Sequence, residues 1–62
     1  MNYGEILLMF RAKHNLTQMQ LSKILGVGLN MIHRYENGIS NPTTKNKIMF
    51  DNKMLEWEEN KK

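Results

Sequence analysis

Apolar residues return along this chain at the spacing of helices. Tyr3, Leu7 and Phe10 stand at i, i+4 and i+7, and Leu21, Ile24 and Leu25 at i, i+3 and i+4; Phe50, Met54 and Trp57 repeat the first pattern. Such spacings gather side chains on one face of a 3.6-residue helix, and no stretch alternates with the period of two that a strand requires. Breakers between the periodic runs set the boundaries. The first helix is predicted over about Asn2 to Lys13, closed by His14 and Asn15. The second follows a Thr17 cap and stops at Gly26, and the third runs from about Leu29 to Asn37 and stops at Gly38. Pro42 and a capping Thr43 open a fourth helix through Lys47, Ile48 and Phe50. A fifth helical stretch spans about Asp51 to Glu59, capped by Asp51 or Asn52; the alternative is one long bent helix from Thr43 to Glu59. The expected fold is all-α: a compact bundle of four to five short helices in a single domain over residues 1–62.

Residues 17–38 carry the most specific signal. A capped helix burying Leu21, Ile24 and Leu25, with small Ser22 for close approach, meets Gly26, where positive φ can turn the chain within three to four residues. Advanced by 100° per residue, the next helix separates into two faces. Met31, Ile32 and Tyr35 share one. Leu29, Asn30, His33, Arg34 and Asn37 share the other, which is too polar for a core and carries donors and acceptors suited to base edges. Two short helices joined by a glycine turn, the second with a polar outer face, form the grammar of a helix-turn-helix DNA reader.

The residues Leu16-Thr17-Gln18, Leu21-Ser22, Leu25-Gly26-Val27, Ile32 and Tyr35-Glu36-Asn37-Gly38 with Pro42 resemble the Xre/Cro type of helix-turn-helix regulators, which includes the lambdoid phage repressors. The resemblance extends from about Tyr3 to Thr44 and implies a lambda repressor-like fold. It implies an ion pair between Arg11 and Glu36 that orients the third helix on the first. It assigns Gln18 to a phosphate or to bracing a contacting side chain, and it places Ser40, Asn41, Thr44 and Lys45, with Thr17 and Asn37, where positioning contacts to the DNA backbone are made. Asn30 and Arg34 are the candidates for base readout, an amide suiting adenine and a guanidinium guanine. His33 either reaches DNA or stands idle. Leu29 departs from the family's polar preference and either meets a thymine methyl or fills space. Gly28 departs from the usual Ser or Thr cap and offers a bare backbone to DNA.

Length, charge and residue inventory narrow the alternatives. A chain of 62 residues with 40% hydrophobic content supports one modest core. It has no cysteine, so neither a disulfide nor a thiolate zinc site is available; His14 and His33 lack metal-ligand spacing. The net charge is +3, divided unevenly: residues 1–50 hold six Lys/Arg against two acids, and residues 51–62 hold three against four. Arg11, Lys13, Lys23, Arg34, Lys45 and Lys47 are thus expected to attract phosphate, with Glu56, Glu58 and Glu59 kept away. No paired carboxylates, phosphate loop or activated nucleophile suggests an enzyme, and nothing indicates a cofactor or small-molecule ligand. The amino terminus lacks a signal-peptide pattern and Ile6 to Phe10 is too short to span a bilayer, so no membrane association and a cytoplasmic location are expected.

Leu8 and Met9 fall off the Tyr3, Leu7, Phe10 stripe and need a partner surface. They and the C-terminal Met54 and Trp57 pack within the monomer or form a homodimer surface that carries two reading helices to an inverted repeat in double-stranded DNA. Met31 and Met49 are expected to fill gaps in the core. The function expected is a sequence-specific transcriptional regulator, a repressor acting by operator occupancy; the rival is an antitoxin- or antirepressor-like module that binds protein on the same fold.

Overall fold

The computed structural model describes residues 2–60 and comprises four helices: α1 (Tyr3–His14), α2 (Gln18–Leu25), α3 (Leu29–Glu36) and α4 (Thr44–Asn60). Local chemistry sets each end. The Asn2 side chain accepts from the Glu5 amide at 2.9 Å, and α1 closes on Asn15 in the left-handed region at φ 55°, a conformation asparagine tolerates better than other non-glycine residues. Thr43 caps α4 by accepting from the Asn46 amide at 3.2 Å.

Each helix contributes two residues to the buried core: Tyr3 and Leu7, Leu21 and Leu25, Ile32 and Tyr35, Phe50 and Met54. Phe50 lies fully buried between the rings of Tyr3 and Tyr35, with centroids 6.2 and 6.0 Å away. Burial of side chains of this size stabilises by about 1.5–3 kcal/mol each. The helix α3 packs on both α1 and α2, and α4 on α2. Gly4 is what lets α1 approach α3: a Cβ there would overlap the Tyr35 carbonyl oxygen and lie 2.9 Å from its carbon and 3.1 Å from the Glu36 Cα.

Several expectations are resolved. Residues 44–60 form one continuous helix, the alternative arrangement, with no separate helix from Asp51. Asp51 therefore has no helix start to cap, and its carboxylate accepts the Tyr3 hydroxyl at 2.8 Å. Met31 and Met49 are exposed and do not fill the core; each sits about 100° around its helix from a buried neighbour, Ile32 or Phe50. Of the two readings of Met54, packing within the monomer or a partner surface, the first holds: it is 7% exposed. Trp57 is half-buried against Phe10 and His14, with ring centroids 5.7 and 5.0 Å away, so the Phe50, Met54, Trp57 stripe serves this chain's own packing. Leu8 and Met9 stay exposed.

Candidate nucleic-acid interface

The two motif helices are held at both ends by backbone-specific contacts. Thr17 and Gln20 form a reciprocal capping box: the Gln20 amide donates to Thr17 Oγ1 at 3.1 Å, and the Thr17 amide donates to Gln20 Oε1 at 2.8 Å. Gly26 takes φ 74° at the end of α2, and residues 26–28 make the turn. Gly28 stands at the N-cap of α3 without a side-chain cap. At the far end Gly38 takes φ 75°, with its own amide donating to the Tyr35 carbonyl and the Ile39 amide to the Arg34 carbonyl at 3.0 Å. This pairing satisfies the last carbonyls of α3 and turns the chain sharply away.

Between these ends α3 exposes Leu29, Asn30, Met31, His33 and Arg34 while burying Ile32 and Tyr35. The backbone at Gly28 is exposed too, and a Cβ there would meet nothing within 4 Å. Ser40, half-buried in the following loop, accepts from Arg34 Nε at 3.2 Å. That bond leaves both terminal guanidinium nitrogens for a planar acceptor pair. Asn37, at the C-cap, directs its side-chain amide at His33: Nδ2 lies 2.9 Å from the His33 carbonyl and 3.1 Å from His33 Nε2. Asn41, Thr44 and Lys45 are exposed in the loop and first turn of α4.

A polar network beneath this face fixes its position. Arg11 of α1 grips Glu36 at the end of α3 through two bonds, Nε to Oε2 at 2.7 Å and Nη2 to Oε1 at 2.8 Å. Arg11 Nη1 donates to the Leu16 carbonyl at 3.1 Å, and Gln18 Nε2 donates to Glu36 Oε1 at 3.0 Å. The end of α1 and the start of α2 thus meet on a carboxylate at the end of α3 that is only 6% exposed, and Arg11 ties in the turn between them. Burial pushes the Glu36 carboxyl upward, but the bonds from Arg11 and Gln18 outweigh it and hold the group below its ordinary 4.5. Glu36 in turn raises the Arg11 guanidinium above its ordinary value. Gln18 therefore braces the network, with one amide hydrogen committed to Glu36.

The charge expected at the surface is redistributed by these contacts. Arg11 is paired with Glu36, and Lys13, still largely exposed, lies 3.4 Å from Glu58. Lys23, Arg34 and Lys45 remain exposed, and Lys47 is half-buried, 6.0 Å over the Tyr3 ring. At the opposite corner His14 Nε2 donates to Glu58 at 2.7 Å, and this bond holds the Glu58 carboxyl below its ordinary 4.5. Sequence patterns did not single out Gly4 or Gln20, nor the pairing of Asp51 with Tyr3 or of Glu58 with His14. Of these only Gln20, three residues after Thr17, carried a readable signal, that of a capping box.

Comparison with known proteins agrees with this geometry. A helix-turn-helix family model matches residues 7–46, about two-thirds of the chain. Antitoxin PezA from Streptococcus pneumoniae serotype 4 (strain ATCC BAA-334 / TIGR4) is 38% identical over 42 residues, which is 68% of this chain and 27% of that protein. The chain thus spans about a quarter of the length of this relative. No solved structure gives a significant match. With its capped first helix, glycine turn and exposed second helix all inside the matched region, the chain belongs to the helix-turn-helix family of DNA-binding regulators, of the Xre/Cro-like type.

Proposed function

We propose that this chain is a sequence-specific reader of double-stranded DNA that represses transcription by occupying its operator, with α3 entering the major groove. The observation that carries this reading is the exposed face of α3, Leu29, Asn30, His33 and Arg34, standing on a half-buried Arg11–Glu36–Gln18 network. Side chains on a rigid base meet base edges without an ordering cost at each encounter. Arg34, held at Nε by Ser40, suits guanine O6 and N7; Asn30 suits adenine N6 and N7, each pair being worth about 1–3 kcal/mol of discrimination. Leu29 suits a thymine methyl. Exposed Lys23 and Lys45, with Thr44 and Asn41, hold the backbone, and the uncapped amides at Gly28 favour an approaching phosphate.

The protein acts as a homodimer on an inverted repeat, half-sites lying about one helical turn apart. Exposed Leu8 and Met9, with Ile6 beside them on α1, are available for that contact, whereas Met54 is not. The likeness to a protein named an antitoxin favours a second reading, a module that binds a protein partner. Selection from a random duplex library at near-physiological salt separates the two. An enriched inverted repeat supports the dimeric reader and a single enriched half-site a monomeric one; no enrichment shifts the function to the protein-binding module. Under the DNA reading, Arg34→Ala and Asn30→Ala each relax preference at one base position. Under the other they leave the partner complex intact.

A further inference from the structure

The geometry at the end of α3 points to Asn37 as a positioning residue that fixes the tautomer of His33, and so decides that His33 offers DNA a hydrogen-bond donor. The His33 carbonyl lies 2.9 Å from one terminal atom of the Asn37 amide. An amide oxygen cannot sit there against another oxygen, so that atom is the NH2 nitrogen. The same nitrogen stands 3.1 Å from His33 Nε2. Having two hydrogens, it donates one to the carbonyl and one to the ring. His33 Nε2 must then be a bare acceptor, and the neutral imidazole carries its proton on Nδ1.

This arrangement changes what both residues do. A phosphate offers only acceptors, and both side-chain hydrogens of Asn37 are spent on His33; Asn37 therefore makes no donor contact to the DNA backbone while the pair persists. His33 presents Nδ1–H from an exposed helix position, which suits guanine O6 or N7, adenine N7 or thymine O4 and is repelled by the cytosine amino group. The inference about DNA rests on the reading of α3 as the groove-entering helix; the inference about the tautomer does not.

The test uses the full chain in two parts. Long-range nitrogen–proton NMR at pH 8, well above the ordinary imidazole value of about 6.5, reports which ring nitrogen of His33 is protonated. The expected result is the Nδ1–H form in the unaltered protein and a shift toward Nε2–H in Asn37→Ala, whose helical dichroism shows it folded. Nε2–H in the unaltered protein overturns the proposal whatever the DNA result. In the second part, Asn37→Ala and His33→Ala are put through the same duplex selection. Both should lose roughly two- to tenfold preference, the scale of one hydrogen bond, at one shared base position, leaving the positions read by Arg34 and Asn30 unchanged. If His33→Ala changes a position that Asn37→Ala does not, the positioning role is wrong. If the unaltered protein enriches no sequence while its NMR shows Nδ1–H, the DNA reading has failed and the tautomer assignment stands.

Discussion

Replacing Arg11 by Ala should damage this protein more than neutralising its partner, Glu36, and the asymmetry follows from burial. The Glu36 side chain is 6% exposed and that of Arg11 19%. Without Arg11, a nearly buried carboxylate keeps only the bond from Gln18, and removing one partner of a buried pair costs about 3–5 kcal/mol. A domain of 62 residues has about 3–9 kcal/mol of stability at the usual 0.05–0.15 kcal/mol per residue. Arg11→Ala should therefore lose a third of it or more and lower Tm by about 12 °C or beyond, at about 4–8 °C per kcal/mol for a domain of this size. Glu36→Gln keeps the shape and an acceptor, leaving a guanidinium that can turn to water. Its cost is that of a charged hydrogen bond, about 1.5–3 kcal/mol.

The pH dependence should also reverse. In the unaltered protein Glu36 titrates below 4.5, so its contribution is present above that value and is lost as pH falls through the folded pKa. In Arg11→Ala burial, the largest influence on Glu36, is no longer outweighed. The carboxyl then titrates above 4.5, and protonating it relieves the strain, so Glu36 adds stability as pH falls. Urea unfolding followed by dichroism at pH 7 and pH 4.5, with the double variant completing the cycle, measures both effects. A Glu36→Gln loss larger than that of Arg11→Ala, or a variant whose dependence keeps the original sign, would refute the reasoning.

Other outcomes follow from single contacts. Gly4→Ala gains helix propensity of up to about 1 kcal/mol but forces α1 off the Tyr35 carbonyl, so overpacking of about 1–3 kcal/mol should dominate and lower the thermal midpoint. Gly28→Ser, whose Cβ meets open space, should instead raise stability by a few tenths of a kcal/mol in the same melt, through an added cap. Burial, and then the bond to Asp51, push the Tyr3 hydroxyl far above its ordinary 10.0. Its contribution should be whole below pH 10 and fall away above it; Tyr3→Phe should cost about 1 kcal/mol and flatten the alkaline limb of the stability profile. Lys45→Ala should weaken DNA binding evenly across sequences and reduce the salt slope by about 0.9, as read by titration at several salt concentrations.

Much of this architecture was legible in the sequence because short-range chemistry decides it. Thr17, Gly26 and Gly38 act within four residues of themselves, and their roles can be read without knowing the fold. Partnership across the bundle could not be read this way. The stripe of Phe50, Met54 and Trp57 announces an apolar face but does not say what covers it; the structure turns it inward, where Phe50 meets Tyr3 and Tyr35 and Trp57 meets Phe10. Asp51 has the chemistry of a cap, but α4 runs on through it and a tyrosine hydroxyl 48 positions away takes its carboxylate. Met31 and Met49 mislead for another reason: only a narrow face of α3 and α4 is covered, so one step around the helix separates core from solvent. At the interface, the face of α3 followed from its periodicity. The tethers that Ser40 and Asn37 place on Arg34 and His33 depend on side-chain directions that no spacing rule contains.

The short helix α3 serves the core through Ile32 and Tyr35 alone and the polar frame through Glu36. Positions 29, 30, 33 and 34 are exposed and belong to neither the buried core nor the hydrogen bonds of that frame. Address and chassis are thus written in separate letters of the same eight-residue word, and the address can be rewritten without redesigning the chassis. Descendants of such a chain can drift to new operators through surface substitutions that leave stability nearly untouched. An engineer can do the same by varying those four positions while leaving Arg11, Gln18, Ile32, Tyr35 and Glu36 alone.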